Sequence, residues 1–248
     1  MNNKQKPRKI LKRFLIAVVA LLLILAIAMG IYLSDYRNAD ETAESVMAQP
    51  SAEVTVEQTD DVITFVPQGE IRAGVIFYPG AKIRGGAYAT LADSLAENGY
   101  LCILVNMPLN LATLDSDAAI KLMEDWPDVS SWYIAGHSMG GLAAEKCAYD
   151  NDGIFDGLIV LASRIQYDFS DRDIPVLAIY ATNDGICTPE RVAAADTPEP
   201  ARYTRIDIDG GCHGYFGDYG QQPFDGTPSI SREEQQEQTL EAILEFLE

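Results

Sequence analysis

The chain has 248 residues with 37 acidic and 18 basic side chains, a net charge of −19 with its two histidines neutral. The length suits one sizeable domain plus an appendage. The acidic excess excludes a nucleic-acid-binding protein, because phosphate backbones repel such a surface, and it leaves solubility as the plain reading of the charge.

At the N-terminus, Lys4, Lys6, Arg8, Lys9, Lys12 and Arg13 precede residues 14–33, a run of 20 uncharged, mostly apolar residues. About 20 such residues in a helix span a bilayer core of about 30 Å. A buried helix of a soluble protein would show polar residues at helical spacing, and this run has none. A cleaved signal peptide has an apolar core of about 7–15 residues and a small-x-small cleavage site. Here the run is longer, its end (AIAMGIYL) is a weak cleavage site, and no cysteine follows for lipidation. The reading is an uncleaved signal anchor, with a cleaved signal and a secreted domain as the rival. Asp35, Asp40, Glu41 and Glu44 follow the run, opposed only by Arg37. Positive flanks stay in the cytoplasm. Residues 1–13 are therefore expected inside, and the remainder, carrying 12 − 37 = −25, outside a cell membrane crossed once.

Residues 34–53 are polar, rich in small side chains and without clear periodicity, and read as a linker. The domain is expected over 54–248. VTVEQ and VITFV are short strands separated by a turn at Asp60 and Asp61. Short apolar strands then alternate with helical stretches: strands at 74–79, 101–106 and 131–136, in GLIVLAS, and at 174–180 and 201–208; helices at 88–99, 115–125, 139–149 and 231–248. Ser231 and Glu234 form a capping-box pattern at the last helix. This alternation predicts an α/β fold, a mainly parallel, doubly wound sheet with right-handed crossovers. Sites in such sheets form beyond the carboxyl ends of the strands. That edge collects the loop at 80–86, the loop at 107–111, Ser138, Asp184 and His213.

Ser138 lies in IAGHSMGG, a G-x-S-x-G between an apolar strand and the helix-forming LAAEKCAY. In that context the serine sits on a sharp strand-to-helix turn whose strain holds the hydroxyl at the top of the sheet. A serine needs a base to take its proton. Of the two histidines, His137 adjoins the serine and points elsewhere, with a packing or hydrogen-bonding role. His213, in GGCHGYFG after the last strand, is the usable base. Asp184, just past the strand IPVLAIY, is the carboxylate to orient it, with Asp209 as a weaker rival. Asp168, Asp171 and Asp173 fall at the wrong edge. The oxyanion needs preorganised N–H donors. These are expected from Met139 and from Ala81 in the loop PGAKIRGGAY, with Lys82 as the alternative to Ala81. Lys82 and Arg84 read as solvated loop charges. Cys102, Cys147, Cys187 and Cys212 contain no C-x-x-C pair and no zinc-like spacing with histidine, so no metal or other cofactor is expected. Cys187 and Cys212 flank the acid and the base, and a disulfide between them is the hypothesis an exterior compartment allows.

GHSMGG, the order Ser138–Asp184–His213 and the PGAK loop resemble the alpha/beta-hydrolase superfamily. YPGAKIRGGAYATLADSLAENGY, VNMPLNLA and CHGYFGDYGQQPFDG are similar to its compact fold-five family, over roughly residues 71–248. The resemblance implies a serine hydrolase, commonly an esterase or lipase-like enzyme acting through an acyl-enzyme, with a small-molecule acyl ester as its partner. About a loop's length separates LIVLAS from IPVLAIY, so no lid domain is expected and the site should be open, bordered by 107–111 and 215–228. Thioesterase, peptidase and acyltransferase chemistry stay open, as does a noncatalytic envelope binding protein that keeps the fold.

Overall fold

The computed structural model describes residues 5–248, so residues 1–4, Lys4 among them, lie outside the described residues. It divides into two units, one ending at Tyr36 and the other running from Arg37 to Glu248. The first is helix α1 (Gln5–Ser34). Its segment Lys9–Tyr32 has a mean hydropathy of 3.2 and is long and apolar enough to cross a membrane.

The second unit is built on an eight-stranded sheet in the order β1-β2-β4-β3-β5-β6-β7-β8. Its strands are β1 (Val54–Gln58), β2 (Val62–Pro67), β3 (Ala73–Tyr78), β4 (Tyr100–Val105), β5 (Trp132–His137), β6 (Gly157–Leu161), β7 (Pro175–Ala181) and β8 (Arg202–Ile208). β1 and β2 form an antiparallel hairpin, β2 runs antiparallel to β4, and every pairing from β4 through β8 is parallel. The helices are α2 (Glu41–Ala48), α3 (Ala89–Glu97), α4 (Ala118–Met123), α5 (Met139–Asp150), α6 (Pro189–Ala193) and α7 (Arg232–Leu247).

Strand alternation sends successive side chains to opposite faces. Val75 and Phe77 of β3 therefore join one core with α2, α3 and α7, while Ile76 and Tyr78 join a second core with α4 and α5. This two-sided burial is why the strands read as continuous apolar runs. The capping box forms as expected at α7: the Glu234 N–H donates to Ser231 Oγ at 3.1 Å and the Ser231 N–H to Glu234 Oε2 at 2.7 Å. The β6–β7 connection, residues 162–174, contains no helix, so no lid domain interrupts the fold there.

The linker expected over 34–53 is largely part of the domain. Asp40 caps α2 by accepting the N–H groups of Thr42 and Ala43, and Ala43 is fully buried. Arg232 on α7 reaches both Asp40 (2.6 Å) and Asp218 (3.3 Å), and the Asp40 N–H donates to Asp218 O. Arg37 adds a parallel bridge to Ile83, its N–H donating to Lys82 O and its carbonyl accepting from Arg84. Polar composition concealed this docking because the segment fully buries only Ala43, adds the partly buried Ala39, Val46 and Met47 to the core, and is otherwise fixed through charged and backbone groups.

Candidate active site

β5 ends at His137 and α5 begins at Met139, leaving Ser138 alone to turn the chain. Its backbone sits at φ 55°, ψ −119°, a region non-glycine residues avoid. The Ser138 N–H donates to Leu161 O at 2.9 Å, and the Leu142 N–H to Ser138 O at 3.2 Å, so sheet and helix both hold the turn. Two glycines permit it. A Cβ on Gly136 would collide with the Gly140 backbone, and one on Gly140 with the carbonyls of Tyr78 and Pro79. The same close approach sets the turn against the loop that follows β3.

Among the described residues, the non-glycine residues with positive φ are Lys82, Leu109, Asn110, Ser138, Ala162 and Phe224. All six lie on loops after β3, β4, β5, β6 and β8, the carboxyl edge of the parallel sheet or its continuation. Backbone strain concentrates at functional sites. A cleft of 460 Å³ opens at this edge, lined by Ser138, Met139, Leu142, Ala162, Ser163, Arg164, Gln166, Ile186, Cys187, Arg191 and His213.

His213 and Asp184, 29 residues apart, meet with Nδ1 2.7 Å from Oδ2, both side chains buried. Asp184 Oδ1 accepts the N–H groups of Ile186 and Cys187, each at 2.7 Å. A carboxylate only accepts hydrogen bonds, so the contact at Oδ2 is a hydrogen bond donated by His213 Nδ1, which carries the ring proton. In neutral His213, Nε2 therefore holds the lone pair. Nε2 is buried and without a hydrogen-bond partner among the described residues. Asp209, the rival acid, is exposed and accepts from Thr182 Oγ1 instead.

His137 has the packing and hydrogen-bonding place expected of it. It is fully buried, its ring 4.5 Å from that of His213, with Nδ1 2.8 Å from the Tyr88 hydroxyl. Tyr88 Oη accepts the Gly80 N–H at 3.1 Å, leaving its own proton for His137 Nδ1. Burial, reinforced by the neighbouring His213, holds the His137 pKa well below the ordinary histidine value. His137 is thus neutral.

After β3 the chain turns tightly, with the Ile83 N–H donating to Gly80 O at 3.2 Å. The Lys82 N–H is committed to Asn110 O at 2.7 Å, which removes Lys82 as an oxyanion donor and ties this turn to the loop after β4. Among the described residues, the Ala81 and Met139 N–H groups have no protein acceptor.

The proposed disulfide is absent: Cys187 and Cys212 are both free thiols. They face different spaces. Cys187 lines the cleft, while Cys212 lines a separate cavity beside Asp225 and is clamped by Gln235 through its N–H and carbonyl, each at 2.9 Å. Burial pushes both thiols up to about 12, so neither supplies a thiolate at neutral pH. Among the described residues no group of His, Cys, Asp and Glu side chains could hold a metal ion.

Sequence reasoning missed Asp225. Its Oδ1 accepts the His213 N–H at 3.0 Å and the Gly185 N–H at 3.3 Å, and its Oδ2 the Gly214 N–H at 2.7 Å. One carboxylate thus ties together the segments bearing the acid and the base. In the sequence it is only the aspartate of a turn-like FDG, with nothing to mark its reach.

A strained serine, an imidazole and a carboxylate on the loops after β5, β8 and β7 of this sheet define an alpha/beta-hydrolase architecture. The family model for the alpha/beta hydrolase family matches residues 74–237, and the chain belongs to that family. A search of curated proteins returns no match.

Proposed function

We propose that this chain is a membrane-anchored serine hydrolase of carboxylic esters, with residues 1–13 cytoplasmic and the catalytic domain on the outer side. The observation that carries the chemistry is the strained Ser138 on a cleft shared with His213, whose Nδ1 is held by Asp184. Ser138 Oγ attacks the ester carbonyl while its proton passes to His213 Nε2. The carbonyl π pair moves onto oxygen, where the N–H groups of Met139 and Ala81 stabilise it. Collapse expels the alcohol oxygen, which takes the proton from Nε2 and leaves an acyl-serine. Water then attacks the acyl carbon, gives its proton to Nε2, and the acid departs as the proton returns to Ser138 Oγ. Asp184 keeps the tautomer and stabilises the imidazolium throughout.

The basic residues before the apolar run 14–33 and the acidic excess after it support the orientation. Labelling of the detergent-solubilised full chain by a fluorophosphonate, lost in Ser138→Ala, tests the nucleophile; a wild-type chain that resists the probe, or labelling that persists in the variant, defeats it. Protease added to intact cells should digest the domain, and the intact mass of the mature chain should include residues 1–33. A protected domain would reverse the orientation, and a shorter chain would favour the cleaved signal.

A further inference from the structure

The part of the chain after residue 33 has 37 acidic side chains to 12 basic ones. The cleft at Ser138 inverts that ratio: its lining includes Arg164 and Arg191 and no aspartate or glutamate. Four other arginines of the domain are neutralised locally. Arg172 pairs with Asp152, Arg202 with Asp173, Arg205 with Asp207, and Arg232 with Asp40 and Asp218. Among the described residues, neither Arg164 nor Arg191 has a carboxylate partner, although acids are plentiful. Glu199, the carboxylate on the small cavity that Arg164 also borders, makes no ion pair with it.

The two guanidinium groups come from different elements, Arg164 from the β6–β7 connection and Arg191 from α6. Arg191 is held in place, its Nη1 donating to Ile186 O at 2.6 Å. Both charges act on the same spot. The Cys187 thiol, pushed up by burial and by Asp184, is pulled back down by Arg164 and Arg191. Beside Ser163 and Gln166, the cleft has an apolar lining from Met139, Leu142, Ala162 and Ile186. A ligand suited to this lining has a short apolar stretch with an oxyanion group beyond it, because guanidinium forks match carboxylate and phosphate oxygens.

We infer that Arg164 and Arg191 select esters carrying a second, anionic group, a carboxylate or a phosphate. This rests on the serine-hydrolase reading of the same cleft and narrows its substrate class. It also gives the two cations a use in a chain whose surface otherwise repels anions: the pair forms a local attractive site within a repelling field.

The test compares p-nitrophenyl glutarate (carboxylate) and p-nitrophenyl 3-phosphonopropionate (an analogue of a phosphate group) with neutral p-nitrophenyl valerate, using the full chain in neutral detergent. At least one anionic ester should exceed the neutral one by tenfold or more in kcat/KM, and which one identifies the group. In the double variant Arg164→Gln, Arg191→Gln that ratio should fall at least tenfold, and 0.5 M salt should compress it in the wild type. Arg202→Gln, which removes a positive charge outside the cleft, should leave the ratio unchanged. A wild-type ratio at or below one, or a double variant that keeps the wild-type ratio, overturns the inference. A binding arm separates it from the parent reading. Calorimetry on Ser138→Ala with monomethyl glutarate and methyl valerate should show the anion bound at least tenfold more tightly, and equal affinities overturn the proposal even if no ester is hydrolysed. Loss of turnover and probe labelling together, with anion preference intact, would instead defeat the hydrolase reading alone.

Discussion

Around Ser138, what fixes the side chain lies close in sequence or on the adjoining strands: Gly136, Gly140, the Leu161 carbonyl, and the start of α5. Around His213 the supports come from far away. Asp184 is 29 residues before it, Asp225 12 after it, and Gln235 on α7 holds the preceding Cys212. The first region is a backbone device, in which covalent geometry and missing Cβ atoms force one conformation. The second is a hydrogen-bond device, in which a glycine-rich loop is held by a buried and a half-buried carboxylate and an amide. Perturbing the first should therefore act through the reacting atom, and perturbing the second through alignment.

The largest effect is expected from Ser138→Ala, which keeps the elbow and removes its chemistry. Activity should fall by about 10⁴-fold or more, while thermal stability stays near the wild type or rises, since a strained backbone position has lost only a hydroxyl. A variant that retains a tenth of the wild-type kcat would show that the elbow is architecture without catalysis.

Asp184→Asn addresses the other region. The amide can offer its NH₂ to His213 Nδ1, which then accepts and leaves the proton on Nε2. That is the wrong tautomer for a base, and a loss of about 10⁴ in kcat follows. The measurement is kcat at neutral pH, with circular dichroism to confirm folding. A loss below tenfold would mean that His213 does not depend on Asp184 for its proton placement.

Asp225→Asn should act more gently and only through position. Its oxygens accept from the N–H groups of His213, Gly185 and Gly214, and an amide must turn an NH₂ toward at least one of them. One unsatisfied N–H costs about 1–3 kcal/mol, and a slight displacement of the base lowers kcat by about 10- to 100-fold. KM should change little. Equal damage to KM and kcat would indicate collapse of the whole loop instead.

This contrast also explains what could be read from residues alone. The sheet, the elbow and the order of Ser138, Asp184 and His213 are legible because each is marked locally, by apolar runs, by glycine spacing, and by position after a strand. Asp225 and Tyr88 are not legible, because their partners are chosen by the folded loops and not by spacing. The cysteine pair went wrong for the same reason: adjacency to Asp184 and His213 in sequence says nothing about which way each thiol faces, and they face different cavities. Helix α2 was hidden by its polar composition, since a cap, an ion-pair network and one buried alanine carry no strong periodic signal.

Glu145 brings pH dependence to the elbow side and is the mildest of these tests. It lies on α5, fully buried, with Oε1 accepting the N–H groups of Gln166 and Tyr167 at 2.6 Å each, while Oε2 has no partner among the described residues. These bonds secure the β6–β7 connection that lines the cleft. Burial raises its pKa to about 7, against the pull of the two N–H groups, from an ordinary value of 4.5. Because the folded value lies above the unfolded one, the native state binds the extra proton between them. Its stabilising contribution is complete below about 4.5 and is lost as pH rises through about 7, flattening above. Glu145→Gln keeps an acceptor for the two N–H groups and removes the titration. Denaturant unfolding of both chains from pH 4.5 to 8 should show the wild type losing up to about 3 kcal/mol relative to the variant. A stability difference that is flat with pH, or that grows in the wild type's favour as pH rises, would remove Glu145 from this role.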